Sequence, residues 1–461
     1  MKQKHLQHLF LRAGFGIGFS ELNELRDLSK RRVVDRLFLA SRHPDPLRID
    51  LSELEKEIQM YQDNRKLPDR KKMQELNKKH RLKIRELNYA WIDTLCHTNT
   101  VLNEKMTLFW ANVFVCRDNN AIHFQHYNNT LREHALGNFR DFVKAVAREP
   151  SMSKYLNNRQ NVKESPNENF ARELMELFTL GIGNYTEQDI KEAARAFTGW
   201  SFKGNGDFFL RKFKHDYGVK TFLGKTGQFN GDDIIDTILE QKQCARFICE
   251  KVYRYFVNPV IDRDRVEELT DIFYASYDIE DLMRQIFSSD WFYHDENIGV
   301  KIKSPIELLV GINTIVPMVF QNKKQLYYLQ KMMGQVLLYP VNVAGWKGDK
   351  TWIDSNTLMF RMKLPSLLLN NAVINLEEKG EFEDTFANYY RQKKTNRFLK
   401  VTSDWDSFNR QYGGLKPNEL KRLLLVSKTD EDTESLVSNL KVASNRDFCI
   451  QLMSLPEYQL C

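Results

Sequence analysis

The run Asp69-Arg-Lys-Lys-Met73-Gln-Glu-Leu76-Asn-Lys-Lys-His80-Arg-Leu-Lys-Ile84-Arg-Glu-Leu87-Asn-Tyr-Ala-Trp91-Ile-Asp-Thr-Leu95 sets the fold class. Met73, Leu76, His80, Ile84, Leu87, Trp91 and Leu95 recur three or four residues apart, all apolar except the histidine. That period predicts one long amphipathic helix over about 69–98. Its other face is basic: between Arg65 and Arg85 ten lysines and arginines stand against only Asp69 and Glu75. The first reading is a solvated face. Nucleic acid is disfavoured, because no aromatic residues that stack on bases are interleaved with the charges, so only weak, salt-sensitive phosphate contact is expected.

Helical patterning continues on both sides. Two short helices are expected within 5–40, around a glycine connector at Arg12-Ala-Gly-Phe-Gly-Ile-Gly-Phe19, and others at about 101–115, 120–136 and 138–149. Ser165-Pro166-Asn167-Glu168 reads as a capping box opening a helix to about Thr179, and Ser304-Pro305-Ile306-Glu307 as the same device opening one to about Ile315. Between Trp200 and Leu223 the period fails. Phe208-Phe209-Leu210 and Thr221-Phe222-Leu223 flank turn residues and suggest a single β-hairpin, the only strand signal of note. Helices resume at 232–257, 264–274 and 278–287. Residues 375–415 are charged and weakly periodic. The fold class is therefore mainly α, a multi-helix globular array with one small β-hairpin around residues 200–223. The expected organisation is a helical domain over 1–370, a charged linker over 371–415 and a small helical unit over 416–461.

Composition excludes several classes. With 461 residues, 42% hydrophobic and 28% charged, the chain has the balance of a globular protein, and a formal charge of +7 is dilute over that length. Six scattered cysteines form no Cys-x-x-Cys pair, so free, mostly buried thiols are expected. No window reaches the roughly 18–20 apolar residues of a spanning helix, and charge and histidine interrupt the amino-terminal stretch, so a soluble, cytoplasmic chain is expected. Gly224-Lys225-Thr226 looks like the end of a phosphate-binding loop, but its first glycine is one residue out of place and a hairpin turn explains it better. His-Glu-x-x-His and Gly-x-Ser-x-Gly are absent.

Several landmarks stand in order: Arg12-Ala-Gly-Phe-Gly16, Phe109-Trp110, Arg132 to Gly137, Asn167-Glu-Asn-Phe-Ala-Arg-Glu173, Ala194-Arg195 to Gly199-Trp200, His215-Asp216, Lys303-Ser-Pro305 and Gly345-Trp346. Together, over about Leu6 to Leu369, they resemble the bacterial family called domain of unknown function 1800. The resemblance implies fold and architecture and carries no activity. It also implies a sulfatase-like protein as a partner and export of many relatives. Where relatives commonly show Trp-His-x-His-Phe, this chain has Trp110-Ala111-Asn112-Val113-Phe114, so any chemistry needing those imidazoles is unavailable here.

The candidates for chemistry lie mostly on the 166–179 segment. In a helix, Glu168, Arg172 and Glu176 share one face, and Glu173 sits a further 100° round. Glu173 and Glu176 are suited to hold a divalent cation or to share a proton as an acid and base pair. The competing structural reading assigns Glu168 to the cap and Glu176 to an ion pair with Arg172, leaving Glu173 least explained. His215-Asp216 is placed at the hairpin turn, and the resemblance is the reason to pair His215 with Glu173. His134, beside Arg132, completes the candidate set of Glu173, His215, Arg172, Glu176 and His134. His123 and His126 are spaced to grip one metal ion, whereas His134 is roughly 16 Å of helix from His123. Trp200, Trp346 and Trp352 either line a pocket or anchor the core. Two functions follow: an enzyme with Glu173 as base or metal ligand, His215 as its partner and Arg172 as anion clamp, or a non-catalytic helical scaffold in which these charges form a structural network.

Overall fold

The computed structural model describes residues 1–64, 68–370, 401–440 and 444–461. Helices dominate, as the periodicity predicts. Residues 371–400, most of the expected linker, lie outside the described residues. The chain divides into two compact units, and neither is one continuous stretch.

The larger unit comprises Lys30–Phe292 and Leu337–Lys347. Its long helix is Arg70–His97, opened by Asp69, whose side chain accepts from the Lys72 N–H at 2.8 Å. Leu76, His80, Ile84, Leu87, Trp91 and Leu95 are buried, and Met73, in the first turn, stays exposed. The helices Val101–Val113, Ala121–Glu133 and Phe139–Arg148 follow. Trp110 is their hub: its ring lies 4.7–5.9 Å from those of Phe109, Phe142, Phe139 and Phe114, and its N–H donates to Ala135 O at 2.9 Å. A charged pair is enclosed beside it. The Glu104 and Arg132 side chains are each 1% exposed and bonded to one another, and Glu104 also accepts from Trp91 Nε1 at 3.1 Å. Arg132 donates onward to Asn128 at 3.0 Å and Asn129 at 2.8 Å, so three helices are tied by one network.

Two side-chain amides hold Leu337–Lys347 to this unit. Asn88 donates to Leu337 O at 2.8 Å, and Asn112 both accepts from Trp346 N at 2.7 Å and donates to Trp346 O at 3.0 Å.

The single expected hairpin is corrected. Phe208–Leu210 and Lys220–Phe222 are strands, but they do not pair: the first folds back on Trp200–Phe202 and the second forward on Lys225–Gly227. Each closes a short loop, which loses less chain entropy than joining the two across the intervening residues. The turn at Leu223 and Gly224 has φ of 45° and 79°, the left-handed pair of a tight hairpin turn, which agrees with the hairpin reading of Gly224-Lys225-Thr226. A third pair, Met318–Phe320 with Val401–Ser403, belongs to the smaller unit, where sequence signalled no strand.

The smaller unit comprises Met1–Ser29, Tyr293–Val336 and Gly348–Cys461. Its Pro305–Ile315 helix is opened by the expected capping box, with Ser304 Oγ accepting from Glu307 N at 3.2 Å and Glu307 accepting from Ser304 N at 2.6 Å. Two buried arginines read backbone carbonyls: Arg12 donates to Asn297 O at 3.2 Å, and Arg361 to Lys303 O at 2.6 Å. Burial pushes the Arg361 guanidinium down to about 10. Lys303 donates to Tyr458 O at 2.7 Å, so the Arg12 and Lys303-Ser-Pro305 landmarks serve packing here. All six cysteines are free, five of them buried. Among the described residues no helix is long and apolar enough to cross a membrane.

Candidate functional site

The segment expected as one helix over 166–179 is built differently. Ser165 caps no helix among the described residues; its N–H donates to Val162 O at 2.9 Å within a turn. Asn161 and Asn167 organise the entry, accepting from Asn167 N at 2.9 Å and Asn169 N at 3.1 Å. The α-helix spans only Asn169–Glu173 and widens into a π-helix over Leu174–Thr179, a geometry frequent at functional sites. The wider turn moves Glu176 off the Arg172 row, so their expected ion pair is absent. Arg172 donates instead to both Glu187 oxygens at 2.8 Å and to Glu168 at 3.0 Å, and Glu176 accepts from the Tyr185 hydroxyl at 3.1 Å.

Glu173 is left half-buried, its carboxyl making no hydrogen bond or ion pair among the described residues. Burial, and then the Glu176 charge, raises its pKa. The native state therefore keeps the Glu173 proton to higher pH than the unfolded chain does, and the associated stability, full below the ordinary glutamate pKa, is lost as pH rises through the raised value. Glu173→Gln is expected to match the wild type in urea melts near pH ~4 and to exceed it at pH ~7. Equal midpoints at both pH values would discard the perturbed carboxyl.

His215 is buried and lies between the two hairpins, after the short Lys212–Lys214 turn, which corrects its expected place at a hairpin tip. Its Nδ1 is 2.8 Å from Thr198 O, which accepts and so fixes the proton on that nitrogen, and its ring meets Tyr217 edge-on at 4.6 Å. Asp216 turns away to Arg195, accepting at 2.8 and 3.3 Å. Gly199 stands at φ +77°, where a Cβ would lie 2.8 Å from Arg211 O, so the landmark glycine permits the chain crossing that seats His215. Among the described residues no hydrogen bond or ion pair joins His215 to Glu173.

His134 caps the Ala121–Glu133 helix, half-buried, with its ring 6.3 Å from Phe142. His126 and His123 diverge. His126 Nδ1 is 3.0 Å from both Glu149 oxygens, which raises its pKa, whereas His123 is buried edge-on to Phe202 and pushed down to about 4, by burial first and by Lys154 second. Close to them is a polar set that sequence reading missed: Asp118, with its side chain 1% exposed, accepts from Lys154 and, at 2.7 Å, from the Ser151 hydroxyl. Its members stand some thirty-five residues apart, so no local spacing announces them. Among the described residues no three His, Cys, Asp or Glu side chains are grouped to hold a metal ion. On the basic helix, Lys79 is paired with Glu53 at 2.7 Å and Glu57 at 2.9 Å. Trp200 packs against Phe197 and Phe208 at 5.1 and 4.9 Å, and Trp352 is likewise buried.

Ala111 lines an apolar cavity of ≈ 20 Å³ with Trp91, Leu108, Phe124, Leu131 and Trp346, room for about one water, and Val113 is 6% exposed. Restoring both histidines, Ala111→His with Val113→His, is expected to lower stability by about 1–3 kcal/mol without binding metal, because imidazoles are forced among apolar groups. Thermal melts and elemental analysis of the double variant check this; one tightly held ion per chain would show instead a lost site.

A family model described as protein of unknown function (DUF1800) matches residues 8–460. No curated protein and no solved structure matches the chain.

Proposed function

Since the chain belongs to the DUF1800 family, whose description assigns no activity, we propose that it is a non-catalytic helical scaffold that binds a partner protein. The observation that carries this reading is the state of Arg172. An anion clamp needs an open guanidinium fork, and both terminal nitrogens of this one are already held by carboxylates, Glu187 at 2.8 Å and Glu168 at 3.0 Å. Glu176 and His215 are engaged in the same way, by Tyr185 and by the Thr198 carbonyl. The proposed partner is the sulfatase-like protein that the family resemblance implies. Sedimentation of the two purified proteins together is expected to give a stoichiometric complex with a Kd below about 10 μM. Separate sedimentation at about 100 μM of each would reject the partner.

Glu173 favours a second reading, an acid and base enzyme, because a half-buried carboxyl with a raised pKa and no bonded partner among the described residues is what such chemistry requires. The readings divide on Glu173→Gln. A scaffold keeps its complex and alters no small molecule in a cell extract, whereas an enzyme consumes a compound that the variant leaves untouched, as read by mass spectrometry.

A further inference from the structure

The helices Lys242–Phe256 and Arg263–Ser276 flank a surface pocket of ≈ 530 Å³, within the size range of small-molecule sites. Arg246, Glu250 and Arg254, spaced four apart, put one stripe of side chains along its first wall. Arg263 and Glu267 line the second, and Ile261 and Val266 supply apolar surface between them. The charges are not equally occupied. Glu267 accepts from Lys242 at 2.8 Å and Arg246 at 2.6 Å, which holds its carboxyl below the usual range. Among the described residues the Arg254 guanidinium donates only to the Pro259 carbonyl, at 3.0 Å. The side chains of Arg263 and Glu250 make no hydrogen bond or ion pair among the described residues.

The lining therefore offers two arginines with donors to spare and one carboxylate with acceptors to spare. Guanidinium forks match the paired oxygens of a phosphate, sulfate or carboxylate, and a carboxylate accepts from hydroxyl groups. We propose that this pocket binds an anionic sugar, with Arg254 and Arg263 gripping the charged group, Glu250 accepting from ring hydroxyls, and Ile261 and Val266 under the apolar edge of the ring. The site goes beyond the scaffold reading and does not depend on it, since none of its residues belongs to the Arg172 network.

Calorimetric titration of the full chain with glucose 6-phosphate, glucose 6-sulfate, glucuronate, glucose and inorganic phosphate tests the assignment. At least one anionic sugar is expected to bind with a Kd below about 1 mM, and glucose at least about tenfold more weakly. Arg263→Ala and Arg254→Ala should each weaken the sugar anion at least about tenfold, and both side chains are exposed, so folding is retained. Glu250→Gln should weaken the sugar anion while leaving inorganic phosphate unchanged. Absence of heat with every sugar anion at about 10 mM would overturn the proposal. So would affinities that the arginine variants leave unchanged, and inorganic phosphate binding as tightly as the sugar phosphate would overturn recognition of the sugar.

Discussion

Glu104→Ala is expected to lower the free energy of unfolding by about 3–5 kcal/mol. Both members of the Glu104–Arg132 pair are 1% exposed, so neither charge has water to fall back on. Removing the carboxylate strands the guanidinium with only the Asn128 and Asn129 oxygens, and it leaves the Trp91 N–H, now bonded to Glu104 at 3.1 Å, without an acceptor. The loss comes from that uncompensated charge more than from the attraction itself. The paired replacement Glu104→Leu with Arg132→Met should therefore recover part of the stability, since it removes the stranded charge although the Trp91 N–H still lacks its acceptor. Urea unfolding of the single and double variants measures both effects. A double variant as unstable as Glu104→Ala would show that the pair is itself strongly favourable.

Gly345→Ala is expected to cost about 2–4 kcal/mol, from backbone conformation and overpacking together. Gly345 stands at φ +73°, and a Cβ there would lie 2.4 Å from Asn112 Oδ1 and 2.8 Å from Asn112 O. Asn112 cannot yield without releasing its two bonds to Trp346, at 2.7 and 3.0 Å, so the segment Leu337–Lys347 should loosen from the larger unit. Hydrogen exchange would register this as faster exchange at Trp346. Asn112→Ala should loosen the same segment with a smaller loss, because it removes the two bonds without strain. Exchange at Trp346 unchanged in Gly345→Ala would disprove the clamp.

Local chemistry alone determined the helical class, the long helix Arg70–His97 with its buried stripe, and the Ser304–Glu307 cap. Each is a matter of residue spacing within a few turns, where the period of 3.6 and the reach of a capping side chain leave little freedom. The family was legible too, because its landmarks are ordered along the chain. Tertiary structure decided the rest. Ser165 and Glu168 carry the same capping signature as Ser304 and Glu307, but Asn161 and Asn167 organise that entry and Glu168 is drawn to Arg172. Arg172 found Glu187 in place of Glu176, because a π-turn shifted the register and Glu187 arrived from the next helix. Strand partners changed for a related reason: β-propensity marks Phe208–Leu210 and Lys220–Phe222 without saying which neighbour each will take, and short loop closure chose. Glu104 with Arg132, and Asp118 with Lys154, lie 28 and 36 residues apart in sequence and meet only in the folded core, where the expense of burying an unpaired charge selects their partners.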